Sequence, residues 1–173
     1  MFSTTRKLIA GTILIICFSA CGYHFAGSTG NLPPEIRTIA IPLFSNKTFE
    51  PRIENYFTNA LIDEFLERGR VKIEKRTKSD ATLVGIIISY KNSPISFDKN
   101  DRVVEYRATV IINTSLKRND NDMILWESPG LTGRWQYMVS SDITVTDVNE
   151  IEAVKKIAAD LAEEIHNRIF EGF

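Results

Sequence analysis

Apolar and polar positions change period several times along this chain, and each change marks an element. From Thr38 to Leu43 they alternate, with Ile39, Ile41 and Leu43 on one side, which predicts a short strand that Pro42 ends or holds at an edge. Ser45-Asn46-Lys47-Thr48 has turn composition. Ile53, Tyr56, Phe57, Ala60, Leu61 and Phe65 then recur at helical spacing, with Pro51 expected in the first turn and Gly69 as the stop. Val71–Ile73 predicts a short strand, and Ala81–Tyr90, apolar on both faces, predicts a strand covered on both sides.

The clearest alternation runs from Arg102 to Lys117. Val104, Tyr106, Ala108, Val110, Ile112 and Leu116 point one way, while Glu105, Arg107, Thr109, Asn113, Ser115 and Lys117 point the other. Asn119-Asp120-Asn121-Asp122 predicts a hairpin turn into Met123–Glu127, and Pro129-Gly130 predicts a bulge or break before Leu131–Tyr137. Asp147 with Glu150 three residues on forms a capping box for a helix whose core positions are Ile151, Val154, Ala158, Leu161 and Ile165. The order strand, helix, three strands, helix is an α+β pattern. Two amphipathic helices on one face of a roughly four-stranded, mainly antiparallel sheet close its core most simply.

The first residues follow another logic. Arg6 and Lys7 precede an apolar run, Leu8–Ile16, and then Phe18-Ser19-Ala20-Cys21. This is the charged, apolar and small-residue sequence of a bacterial export signal over residues 1–20, with Cys21 placed for lipid attachment. Phe18 stands where leucine is usual, and Ile15 and Ile16 make Cys17 a poor rival site. An uncleaved anchor would need about 20 apolar residues, more than this run provides. Residues 21–36, with Gly27, Gly30, Pro33 and Pro34, read as an acylated tether, and 37–173 as a single domain. Acylation would hold the chain at a membrane.

Charge narrows the partners. Losing Arg6 and Lys7 with residues 1–20 leaves 19 of the 21 basic residues against 22 acidic ones, which gives no basic excess for nucleic acid. With Cys17 removed and Cys21 acylated, no thiol remains for a disulfide. His24 and His166 are the only histidines, and a solvated surface position is expected for His166, so neither a metal site nor a cofactor is expected. No Gly-x-Ser-x-Gly elbow or glycine-rich phosphate loop is present, and Ser140-Ser141-Asp142 reads as a turn. An enzyme is not expected. Binding residues are sought instead at one end of the sheet, where Lys91–Arg102 is the expected connection. Phe97, Lys99 and Arg102 stand there, and Arg134 on the returning strand is a fourth candidate; basic side chains at that end suit phosphate or carboxylate groups, and Phe97 suits an amphiphilic ligand.

Cys21-Gly22-Tyr23-His24-Phe25, then Ile39-Ala40-Ile41-Pro42-Leu43-Phe44-Ser45-Asn46-Lys47-Thr48, the helix from Ile53 to Leu61 and Val104-Glu105-Tyr106 together resemble the LptE family. These are lipopolysaccharide-assembly lipoproteins of the outer membrane. The resemblance implies two helices on a roughly four-stranded sheet, and a non-catalytic protein that plugs and helps assemble the LptD barrel and contacts lipopolysaccharide. It also implies basic ligand contacts in loops at one end of the sheet. Lys99 and Arg102 occupy one such connection, but Tyr137–Asp147 holds no Lys or Arg, so Arg134 is only a substitute for the second. The alternative is a lipid-anchored pilotin or assembly chaperone for a secretin or a surface polymer exporter.

Overall fold

A computed structural model describes residues 32–171. The export signal, Cys21 and the tether up to residue 31 lie outside the described residues. The elements in chain order are β1 (Thr38–Ala40), β2 (Ser45–Asn46), α1 (Ile53–Arg68), β3 (Lys72–Ile73), a 3-10 turn (Arg76–Lys78), β4 (Ala81–Phe97), β5 (Val103–Arg118), β6 (Ile124–Met138) and α2 (Ile143–Glu171). The fold is α+β, as the hydrophobic pattern requires.

The sheet has six strands and is mixed, rather than having four mainly antiparallel strands. Its backbone is the antiparallel meander β4-β5-β6, and the order β3-β1-β4-β5-β6 carries short parallel pairs on the other flank. β2 pairs with β4 higher up, Ser45 against Ile86. Ser45 and Asn46, expected in a turn, are drawn into this pair before the chain turns. Two-residue strands are too short for an alternating pattern to announce them.

Both helices cover one sheet face. Ala108, Val110, Ile112 and Leu116 of β5 have no exposed surface and meet a core of Phe57, Leu61 and Phe65 from α1 and Ile157, Leu161, Ile165 and Ile169 from α2. The other sheet face is bare: Ile86 and Ile88 are 38% and 42% exposed, so the expectation that β4 is covered on both sides fails. Two glycines let layers approach. A Cβ on Gly85 would enter the Phe44 ring, and one on Gly133 would enter Ile157 of α2.

Boundaries moved for local reasons. Pro51 and Arg52 precede α1 rather than starting it, with Arg52 at φ 65°, while Gly69 closes the helix at φ 64° and donates to the Phe65 carbonyl (3.2 Å). α2 starts four residues before the Asp147 expected to cap it. Asp142 accepts from the Thr144 N–H (2.8 Å), and the Thr146 hydroxyl accepts from the Ser140 N–H (2.9 Å). Ser140-Ser141-Asp142 is thus a helix cap, and its hydrogen bonds outweigh the poor helix propensity of Ile143-Thr144-Val145-Thr146. Pro129-Gly130 forms the expected bulge: Gly130 sits at φ 70° and donates to the Asn113 side chain (2.8 Å) while β6 continues through it. The tether's last residues pack on the domain. Ile36 is buried, and Glu35 pairs with Arg118 (3.0 Å), which also holds Asp120.

Candidate functional site

The four candidate binding residues fall in two places. β4 runs through Lys91 and Pro94 as far as Phe97, so the connection to β5 is only Asp98–Arg102 rather than Lys91–Arg102. Phe97 pairs with Val103 at the top of this hairpin and is 55% exposed. Lys99 and Arg102 lie in the turn. Asp98 organises it by accepting from the Asn100 N–H (2.7 Å) and the Arg102 N–H (3.0 Å), and its carboxylate also binds the Arg102 guanidinium (2.8 Å). The Arg102 and Asn100 backbone N–H groups, followed by the Arg102 side chain, hold the Asp98 carboxyl below its ordinary pKa. The tip is therefore charge-balanced, with Lys99 and Arg102 against Asp98 and Asp101.

Arg134 is elsewhere. It pairs with Thr109, six residues down β5 from Val103, about 20 Å from the tip at strand rise. Cross-strand register places Lys91, Thr109 and Arg134 in one row on the bare face, with Ser93, Arg107 and Gln136 in the next. A cleft of about 470 Å³ opens here, lined by Glu105, Arg107, Arg134, Trp135 and Gln136. With its amide oxygen and nitrogen in the orientation that satisfies both neighbours, the Gln136 carboxamide bridges two of them, donating to Glu105 (3.1 Å) and accepting from Arg107 (3.2 Å). Neither Arg134 nor Lys91 has an ion-pair partner among the described residues.

A polar cluster beneath the start of α2 escaped the sequence reading. Glu150, expected as a capping side chain, turns inward and accepts from the Tyr90 hydroxyl and the Asn92 carboxamide (2.7 Å). Tyr106 and Tyr137 stack beside it at 5.8 Å. Burial and then Glu150 raise the Tyr90 pKa, so the phenol stays protonated. The same two causes, in that order, raise Glu50. Tyr90 thus donates to a carboxylate, with no nucleophile between them. The only signal in the sequence was two polar residues, Asn92 and Glu150, at positions that face apolar neighbours.

His166 corrects another expectation. It is 1% exposed rather than solvated, edge-on to Phe65 (5.2 Å between ring centres) and beside Phe170 (4.7 Å), with no partner for Nε2. It follows Ile165 on the buried stripe of α2, one turn after Ala162. Among the described residues no three His, Cys, Asp or Glu side chains converge as a metal site would require, and no helix is long and apolar enough to cross a membrane.

The profile of the LptE family, described as lipopolysaccharide-assembly, matches residues 36–169, from the first core residue to the last turns of α2. The chain belongs to the LptE family. The match spans every strand, all of α1 and α2 as far as Ile169, so nearly all of the described domain lies within the family's unit. Two solved structures agree on the fold, and a third is similar at a lower score. A lipoprotein from Caulobacter crescentus is similar at a TM-score of 0.53 and 11% identity, over 74% of this chain and 88% of that one. A protein from Xanthomonas campestris is similar at 0.52 and 10%, over 73% and 81%. The rare lipoprotein B from Shewanella oneidensis scores 0.47 at 18% identity, over 79% and 92%. No curated protein sequence matches the chain. As an LptE-family protein it is an LptE-like lipoprotein domain, and its core is that of a compact α+β unit.

Proposed function

We propose that this protein is a non-catalytic outer-membrane lipoprotein, acylated at Cys21, that sits as a plug in an LptD-like β-barrel, helps the barrel assemble and contacts lipopolysaccharide. The observation that carries the reading is the family match over residues 36–169. The described surface is consistent with it. Polar groups are tied to neighbours that fix shape, as Glu150 is to Tyr90 and Asn92, rather than paired as nucleophile and base. A rigid sheet with one bare face suits a part held inside another protein. Phe97, Lys99 and Arg102 at the hairpin tip remain the proposed glycolipid contact, with Lys99 the cation free of Asp98. Arg134 belongs to a separate surface and leaves that group.

The test is co-purification. The tagged full chain, extracted in mild detergent, should bring down a large outer-membrane barrel protein, identified by mass spectrometry. Extraction that yields the chain without such a barrel ends the plug reading. Lys99→Asp with Arg102→Asp should separately weaken lipopolysaccharide binding while leaving the barrel bound.

A further inference from the structure

β6 is the last strand of the sheet, and its upper half is an open edge. The register from Leu131 to Met138 is continuous, and the Val139 N–H donates to the Val104 carbonyl (2.9 Å). Antiparallel pairing alternates, so the backbone groups of Leu131, Gly133, Trp135 and Tyr137 face β5. Those of Thr132, Arg134 and Gln136 face outward. The next outward carbonyl, at Met138, is taken by the Asn149 side chain (2.9 Å), which marks the upper limit of the open segment. The bulge at Pro129-Gly130 marks the lower one.

The sheet's other borders are blunted. Above Ile87 the far side of β4 has no strand partner, but it carries Pro94 and register breaks at 87/89, 94/96 and 96/97. β2 and β3 have two residues each. Proline, bulges and short strands are the usual defences of an edge. Thr132–Gln136 has none of them.

We propose that Thr132–Gln136 is a strand-addition site for an extended segment of another protein, one that alternates acidic with apolar residues. Side-chain chemistry selects this occupant. On the bare face the added strand meets Arg134, unpaired among the described residues, with Arg107 one strand inward. Glu105, the one carboxylate lining the cleft, lies within hydrogen-bond reach of the Gln136 carboxamide. An acidic residue opposite Arg134 completes that row. On the helix side the added strand meets Trp135, 43% exposed, which favours an apolar residue at the alternate position. A second copy of this chain fits badly, because two-fold pairing centred on the open segment sets Arg134 directly against itself. Main-chain hydrogen bonds supply affinity in this mode and alternate side chains supply selectivity. The inference holds whether or not the plug reading does.

The test uses the full chain in detergent and a nine-residue peptide alternating aspartate with valine, with its lysine counterpart as control. Backbone NMR with hydrogen exchange should show saturable binding of the acidic peptide. Exchange at Thr132, Arg134 and Gln136 should slow at least tenfold, while Leu131, Gly133 and Trp135, already bonded to β5, stay unchanged. Arg134→Pro removes an outward N–H without touching the β5 ladder and should weaken binding at least tenfold. Gln136→Pro gives the same test at a second position, should either variant fail to fold by circular dichroism. Arg134→Glu should reverse the preference to the lysine peptide. The proposal is overturned by equal binding of both peptides to the wild-type chain, by unchanged binding in a folded proline variant, or by protection elsewhere. Concentration-dependent self-association abolished by Arg134→Pro would overturn it in favour of a second copy. A chain that binds the acidic peptide yet co-purifies no barrel loses the plug reading alone. One that brings down the barrel yet ignores the peptide loses this inference alone.

Discussion

His166 makes folding stability depend on pH in a direction the structure fixes. Its ring is buried between Phe65 and Phe170 with Nε2 unpartnered, so protonation would place a charge in an aromatic cluster. Burial lowers its pKa below the ordinary histidine value, outweighing the opposing contact with Asn167 (3.4 Å) and the smaller pull of Glu64. Below about pH 6.5 the unfolded chain therefore binds a proton that the fold refuses. Stability is full above that value and lost as pH falls toward the folded pKa, at a slope of up to about 1.4 kcal/mol per pH unit. Urea unfolding at pH 7.5, 6.5 and 5.5 should show a loss between the last two, at most about 1 kcal/mol if the folded ring takes up no proton in that interval. In His166→Phe this part of the slope should vanish, because an aromatic ring then fills the site without a proton. At pH 7.5 the variant should equal or exceed the wild type, since an orphaned buried polar atom costs about 1–3 kcal/mol. A variant that keeps the same slope would refute the assignment of the pH effect to His166.

Three further outcomes check the packing, the cap and the tip. Gly133→Ala and Gly85→Ala should each lower stability by about 1–3 kcal/mol in thermal or urea unfolding, as overpacked sites do, and Phe44→Leu should partly rescue Gly85→Ala alone. Asp142→Ala should cost about 0.5–2 kcal/mol as loss of a helix cap, whereas Asp147→Ala should cost little; the reverse order in unfolding curves would restore the later helix start. Asp98→Ala frees Arg102 from its ion pair, so it should strengthen lipopolysaccharide binding in a displacement assay if the tip is the glycolipid contact.

Strong periods in the sequence survived into the structure, and weak ones did not. The alternation of β5 and the helical stripe of α1 each need one buried face, and one sequence pattern satisfies each. The start of α2 was illegible because its first turn, Ile143-Thr144-Val145-Thr146, has strand-like propensity, while the hydrogen bonds that fix it come from Asp142 and Ser140. The apolar run of β4 ends at Tyr90, so its more polar upper half, which holds Pro94, carries no strand signal of its own. The pairing of Pro94 with Tyr106 shows that an unpartnered border accommodates proline. The candidate site was half legible. Phe97, Lys99 and Arg102 gather at the tip, but Arg134 stands apart because register, which no local pattern specifies, sets its neighbours. His166 was misjudged for a related reason: its burial depends on Phe65 of the other helix.

The two ends of the sheet hold different parts of the proposed function, and their separation constrains it. The chain joins the domain beside Ile39, which pairs with Ala81 at the foot of β4, and the tip is at Phe97, the last residue of the same strand. Seventeen residues of strand span roughly 55 Å, less a little at each bulge. Residues 22–31, even fully extended, reach at most about 35 Å from an acyl group on Cys21. If Cys21 is acylated as proposed, an upright domain carries its tip well away from the leaflet that would hold the anchor, and only a domain lying along the membrane brings the two together. A glycolipid met at the tip is then one that has already left the anchoring leaflet, as cargo moving through a barrel lumen would have. The open edge of β6 runs along the side of the domain between these ends, where a surrounding partner, rather than the membrane, would reach it.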